Sequence, residues 1–362
     1  GDFCHMKFVH IADMHFDTSF TQLSNSENLG NLRRLEQKKV FKKVIEYIKN
    51  NNIEYFFIAG DLYEYNYIRE STIEYINNLF KEIPNTKIFI TPGNHDPYLK
   101  NSFYNKFRWN DNVHIFGPNI SAVNCGDVNI YGFGFDDFYY TNSELDSFEL
   151  NNKSAINILI THATLNGTNN VEKQYNAIQK YTLDRIGFDY VALGHIHKNN
   201  YTSIERIVYP GSTVSIGFDE PGKHGMVCGE ITKESFKTEF IPLDETEFKV
   251  ENIDISNLNA MDELVECLNE LQTNEMDYYE ICLVGNKNFE IDMYNLKKMI
   301  NQKNIIKIKD LSKMSYDIEA ISKENTLKGL FVKELLNQME ENPENKKIIE
   351  QALEIGLEIL EK

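Results

Sequence analysis

The chain has 362 residues, 41% hydrophobic and 25% charged, with 5 Cys, 19 Gly, 8 Pro and a net charge of −18. That length and balance support more than one compact unit with a buried core, and exclude a disordered, collagen-like or disulfide-stapled chain. No apolar run approaches the roughly 18 to 20 residues needed to cross a bilayer, and no charged stretch followed by an apolar one opens the sequence, so a cytoplasmic protein with no membrane partner is expected.

The cysteines (Cys4, Cys125, Cys228, Cys267, Cys282) are odd in number and scattered, with no CxxC pair, so buried reduced thiols are expected rather than a disulfide framework or a thiolate zinc site. Residues 1–5 precede Met6 and read as a cloning remnant. The acidity argues against a broad basic face of the kind that neutralises phosphates. From residue 246 to the end, 14 Lys and Arg stand against 24 Asp and Glu.

In chain order, short runs rich in Ile, Val and aromatics at 8–11, 55–59, 87–90, 156–160 and 190–193 predict buried strands. Between the first of them, apolar residues at helical spacing predict helices over 32–49 and 72–83. From about 247 the texture changes to strand 248–255, helix 260–271, strand 279–284, helix 292–300 and strand 305–308, a small α/β unit. Two amphipathic helices follow at 324–339 and 345–360. The expected division is therefore a large unit 6–246, a small α/β unit 247–321 and a helical segment 322–362. The helical segment has two readings: packing on the chain's own core, or docking on a partner's coiled coil.

The chemistry-bearing residues follow the predicted strands in five clusters: Asp13-Met14-His15, Gly60-Asp61, Gly93-Asn94-His95-Asp96, Thr161-His162 and Gly194-His195-Ile196-His197. In an α/β sheet, residues just past the carboxyl ends of strands converge on one crevice. Carboxylates, an amide oxygen and imidazoles together suit Mn, Fe or Zn better than Ca or Mg. Two cations about 3.5 to 4 Å apart need a shared carboxylate. Asp61 is the natural bridge, with Asp13, His15 and His197 expected on one ion and Asn94, His162 and His195 on the other. His10, His114 and His224 are expected to be packing or surface residues.

This set of motifs resembles the calcineurin-like metallophosphoesterase superfamily. More narrowly, its spacing, with Tyr209-Pro210-Gly211-Ser212 and Gly217-Phe218-Asp219-Glu220 further on, resembles the bacterial SbcD/YhaO nuclease subunit family. The resemblance implies an α/β fold: a two-sheet β-sandwich flanked by helices, with a small α/β capping domain and C-terminal helices. It implies a DNA phosphodiesterase with two divalent ions, most often Mn2+, working at DNA ends beside an SbcC-like ABC ATPase, and a possible homodimer through 71–80 or 101–109. His95 would then stabilise the phosphoryl charge or protonate the leaving oxygen, with Asp96 orienting its ring. Where similar archaeal and eukaryotic nucleases carry a second His three positions after the bridging Asp, this chain has Glu64.

Candidate substrate contacts are Glu64, Tyr98 and Arg69, together with a basic helix face (Arg33, Arg34, Lys38, Lys39, Lys42, Lys43) and aromatics such as Tyr63 and Tyr65. A solvated helix face and packed aromatics are the alternative. Two other functions compete with the nuclease: a stand-alone phosphodiesterase or phosphatase on a small phosphoester, and a catalytically idle scaffold for an ABC ATPase.

Overall fold

Side chains alternate across a strand, so a strand buried on both faces must be apolar along its whole length. The structure, a computed structural model describing residues 5–20, 29–141, 144–167 and 175–360, uses its apolar runs in this way. Cys4 and the rest of residues 1–4 lie outside the described residues. By its internal contacts the chain divides into two compact units, Gly1–Phe248 and Lys249–Lys362.

The first unit holds a six-stranded and a five-stranded sheet. In the first sheet the order is Phe236–Pro242, Gly225–Thr232, His5–Ile11, Tyr55–Ala59, Lys87–Thr91 and Val113–Ile115, parallel from His5–Ile11 onward and antiparallel across Gly225–Thr232. In the second, Ile207–Val208, Tyr190–Gly194, Ile156–His162 and Val128–Phe133 run parallel, and Ser121–Asn124 closes the edge antiparallel.

Parity sorts the core. Phe8, Phe57, Phe89, Ile130, Ile158 and Ala192 fill one cluster shared by the two sheets. Their neighbours Val9, Phe56, Ile58, Ile88 and Ile90 instead meet the helices Leu29–Asn50 and Glu70–Lys81 through Val40, Phe41, Val44, Ile73 and Phe80. On the second sheet Tyr131, Leu159, Val191 and Leu193 meet Leu183 and Ile186 of Lys180–Ile186. The result is the expected helix-flanked sandwich. Truncating a fully buried ring such as Phe57 to Ala costs about 3–5 kcal/mol.

Some details differ from the sequence reading. Leu32 and Leu35 are exposed; the long helix turns Arg33, Gln37, Val40, Phe41, Val44, Ile45 and Ile48 inward instead. Buried Arg33 is tied to Asp244, to Glu36 at 2.8 Å and to the Ser215 carbonyl at 2.9 Å, so it belongs to no basic surface. His5 is the first residue of a strand. Cys228 and Cys282 are buried, whereas Cys125 and Cys267 are only half-buried.

In the second unit Phe248–Asp254, Tyr278–Val284 and Ile305–Asp310 form a three-stranded sheet. It packs Ile281 and Leu283 against Leu264 and Leu268 of Met261–Asn269 and Leu296 of Met293–Met299. Asp292 caps the latter helix by accepting from the Tyr294 and Asn295 amides. Helices Leu327–Glu341 and Lys346–Leu360 bury Val332, Leu353 and Leu357 with Ile321. Phe331, Leu335, Leu336 and Met339 pack against them, while Leu327, Leu330, Ile348, Ile355 and Ile359 face solvent. Among the described residues no helix is long and apolar enough to cross a membrane.

Candidate metal centre

Each of the five clusters sits at or just past the carboxyl end of a parallel strand: Asp13 and His15 after His5–Ile11, Asp61 after Tyr55–Ala59, Asn94 and His95 after Lys87–Thr91, His162 at the end of Ile156–His162, and His195 and His197 after Tyr190–Gly194. Asp13, His15, Asp61 and His195 take positive φ angles of 51°, 49°, 51° and 103°, in the left-handed region that side chains avoid. Such strain persists only where the surroundings fix it, and it clusters at functional sites. Here the Asp13 amide donates to the Gly60 carbonyl at 3.1 Å and the His15 amide to the Asp61 carbonyl at 2.9 Å. A Cβ at Gly60 would strike the His162 ring and one at Gly93 the Asp61 carboxylate.

The ligand atoms of Asp13, His15 and His197 lie within 4.8 Å of one another, and so do those of Asp13, Asp61 and His162. Asp61 Oδ2 stands 3.3 Å from His162 Nε2 and 3.8 Å from His15 Nε2, between the two groups. Asn94 Oδ1 lies 3.0 Å from His162 Nε2 and 3.2 Å from His195 Nδ1. His15 Nε2 and His197 Nε2 are 3.1 Å apart. The other nitrogen of each ring meets a carboxylate, Glu64 Oε1 at 2.8 Å for His15 and Glu220 for His197. Carboxylates only accept, so both Nδ1 atoms carry a proton, and each Nε2 presents a lone pair when its ring is neutral. Lone pairs facing at that distance repel unless a proton or a metal cation lies between them. Two imidazole nitrogens about 2.1 Å from a shared ion at a right angle would stand about 3.0 Å apart, so the residues fit such an ion.

The electrostatics agree. Asp13 and Asp61 are wholly buried, and burial, helped by the charge of Asp61, pushes Asp13 upward against the pull of His197 and His162. Burial disfavours charge on His162, but Asp61 beside it holds it at about 9. His197 is likewise held at about 9 against burial, by its hydrogen bond to Glu220 and by Asp13. His195 goes the other way, to about 3, through burial and the charge of His162. The pocket thus gathers positive charge from its own imidazoles, and a divalent cation supplies that charge in place of those protons.

His95 lies at the mouth, its side chain 45% exposed. The expected brace by Asp96 is not what holds it. Asp96 is fully buried and accepts from the amides of Asp61 (3.0 Å), Leu62 (2.6 Å) and Gly93 (2.7 Å) and from the Tyr104 hydroxyl, so it fixes the two loops that carry Asp61 and Asn94. Glu64 takes the bracing role, its Oε2 2.9 Å from His95 Nδ1. Burial opposes charge on His95, yet the Glu64 hydrogen bond and Asp61 hold it at about 9. Glu64 itself, opposed by burial, is drawn down to about 2 by His15 and His95.

Of the other substrate candidates, Tyr98 packs against the core and Tyr63 is fully buried in it. Arg69 is exposed at the start of the helix Glu70–Lys81, where its amide donates to Asp17 at 3.0 Å. Residues the sequence did not single out also shape the site. Gln37 donates to the His15 carbonyl at 3.0 Å, Asn176 donates to the His162 carbonyl at 2.9 Å, and the Tyr175 ring lies 5.0 Å from that of His195.

The calcineurin-like phosphoesterase family profile matches residues 6–199, more than half of the chain. The chain belongs to that family. Two curated relatives are the uncharacterized metallophosphoesterase YhaO of Bacillus subtilis, 24% identical over 72% of this chain and 67% of the relative, and the SbcD component of the SbcCD nuclease of Staphylococcus epidermidis, 27% identical over 59% of this chain and 63% of the relative. Among solved structures, the GAP50 anchor of the inner membrane complex of Plasmodium shares 14% identity at a TM-score of 0.36, covering 66% of this chain and 85% of that one. Purple acid phosphatase PPD1 of yellow lupin shares 14% at 0.32, covering 67% and 46%. Family membership supports phosphoester hydrolysis at a dinuclear metal site.

Proposed function

We propose that this chain is a metal-dependent phosphodiesterase acting on DNA ends, the nuclease subunit of an SbcCD-like repair complex. The observation that carries the reading is the donor cluster itself: buried Asp13 and Asp61 among four imidazoles and the Asn94 amide, with His95 exposed beside it. Asp13, His15 and His197 would hold one divalent ion, Asn94, His162 and His195 the other, and Asp61 both, with Mn2+ the expected metal and Fe or Zn the alternatives. Bound there, the pair of cations supplies Lewis acidity and a water acidic enough to attack near neutral pH.

The chain's own groups do the rest. Glu64 fixes the His95 proton on Nδ1 and stabilises the ring's positive charge, which leaves Nε2–H to donate to a phosphoryl or leaving oxygen. Asp96 keeps the loops in register, and the walls of Tyr175 and Phe135 shield the inner imidazoles.

Similarity to the SbcCD component supports DNA as the substrate and an ABC ATPase as partner. The solvent-facing Leu330, Ile348 and Ile355 of the C-terminal helices supply an apolar face for that ATPase's coiled coil. The net charge of −18 and the burial of Arg33 favour the second reading, a phosphodiesterase on a small ester.

An assay with Mn2+ on linear double-stranded DNA, a single-stranded oligonucleotide and bis-p-nitrophenyl phosphate separates the two readings. DNA cleavage that disappears in Asp61→Ala supports the nuclease. Turnover of the small ester alone, unchanged when an SbcC-like ATPase is added, overturns it in favour of the second reading. Retention of that ATPase by a Leu330→Glu/Ile355→Glu variant as well as by the unaltered chain would remove the docking assignment.

A further inference from the structure

The two halves of the cluster are not backed alike. Behind the Asp13, His15 and His197 group stand two carboxylates, Glu64 at 2.8 Å from His15 Nδ1 and Glu220 on His197 Nδ1. Behind the other half, among the described residues, the only partner of His162 Nδ1 is the neutral Ala59 carbonyl at 3.0 Å, and His195, whose Nδ1 faces the Asn94 oxygen on the ligand side, has no carboxylate hydrogen-bonded to its ring.

Glu220 is itself held. Its Oε2 accepts from the Ser212 hydroxyl at 2.9 Å and from the Ile216 amide at 3.3 Å. His224, buried, reaches the Ser212 hydroxyl and the Glu220 carbonyl, each at 2.9 Å. The Ser212 amide donates to the His197 carbonyl at 3.0 Å, where Gly211 permits a close approach at φ 78°. Through these contacts the Tyr209-Pro210-Gly211-Ser212 and Gly217-Phe218-Asp219-Glu220 segments together form a buried frame that fixes one imidazole at both its backbone and its ring.

We infer that Glu220, braced by Ser212 and His224, is a positioning residue for His197 that makes the Asp13–His15–His197 position the tighter of two unequal cation positions. The inference rests on the dinuclear reading above. A carboxylate behind a ligating imidazole fixes its tautomer and raises its basicity, and loss of such a partner typically costs about 10–100-fold in metal affinity. Glu64 backs the same position, but it also holds His95, so Glu220 is the cleaner probe.

The test is calorimetric titration of the metal-free full chain with MnCl2, followed in parallel by the Mn2+ electron paramagnetic resonance signal. The unaltered chain takes up two ions with separable affinities. Glu220→Gln weakens the tighter one by about 10–100-fold and leaves the weaker one unchanged. In a His197→Ala background Glu220→Gln adds no further loss, because it acts through that ring. Ser212→Ala, which keeps the carboxylate but removes its hydroxyl brace, weakens the same ion by a smaller factor and serves if Glu220→Gln does not fold. Two ions of equal affinity, or a Glu220→Gln or Ser212→Ala loss shared equally by both ions, would overturn the inference while leaving the dinuclear centre standing. A chain that binds no Mn2+ would overturn the dinuclear reading as well.

Discussion

In the C-terminal unit the buried acids have lysines of their own. Asp277 takes Lys249 at 2.6 Å, and Glu280 takes Lys307 at 3.0 Å together with Lys309. In the N-terminal unit Asp13 and Asp61 are as deeply buried, yet among the described residues no lysine or arginine approaches them; their partners are imidazoles and backbone amides. A buried charge with its counter-charge in place is a closed structural pair, whereas a cluster of buried carboxylates and imidazoles facing one another is an incomplete one. The contrast separates packing chemistry from ligand chemistry inside a single chain.

The sharpest way to break that contrast is at His95, which meets His15 and Glu64 in a third group of ligand-type atoms but lies outside the two proposed cation positions. His95→Ala should lower phosphodiester cleavage by about 10²–10⁴-fold with Mn2+ stoichiometry unchanged. Loss of bound metal in that variant would place His95 among the ligands. Asp96 offers the opposite case, a buried acid closed by hydrogen bonds. Asp96→Ala strands the amides of Asp61, Leu62 and Gly93, and should cost on the order of 3–5 kcal/mol by denaturant unfolding.

A neutral buried group sharpens the comparison through pH. Burial lowers His10 to about 3, against a partly offsetting interaction with the accepting Leu193 backbone carbonyl. Below its ordinary value of 6.5 the unfolded chain therefore binds a proton that the folded one refuses, and stability falls as pH falls. Between pH 7 and 5 this loss should reach on the order of 2 kcal/mol, and His10→Gln should flatten that part of the stability profile. The smallest effect belongs to an exposed pair. Lys323→Ala, which removes the contact with Glu319 at 2.6 Å, should move stability by no more than about 0.5 kcal/mol.

Much of this was legible in the residues because the apolar runs that make parallel strands are continuous, and the polar residues that follow them are abrupt. A strand end followed by Gly-Asp or Gly-Asn-His declares both its place and its chemistry. Less legible were the strands Gly225–Thr232 and Phe236–Pro242, where glycines and an exposed polar face blur the pattern. The site's braces were harder still. Glu64 and Glu220 lie near their histidines in space, but nothing in their spacing separates a carboxylate turned onto an imidazole from one turned to solvent. Arg33 defeated helix-stripe reasoning for a related reason: a charged residue on the inward face is invisible until its partners, Asp244 and the Ser215 carbonyl, are seen. Tyr63 and Tyr98 are aromatics of two loops near the site that the core claims.

The proposed dinuclear centre holds two cations across Asp61. It is tested most directly by crystals grown with MnCl2 and anomalous diffraction collected at the manganese edge. Two anomalous peaks are expected about 3.5–4 Å apart, one beside Asp13, His15 and His197 and the other beside Asn94, His162 and His195, both against the Asp61 carboxylate. A single peak, or none within reach of Asp61, would contradict it.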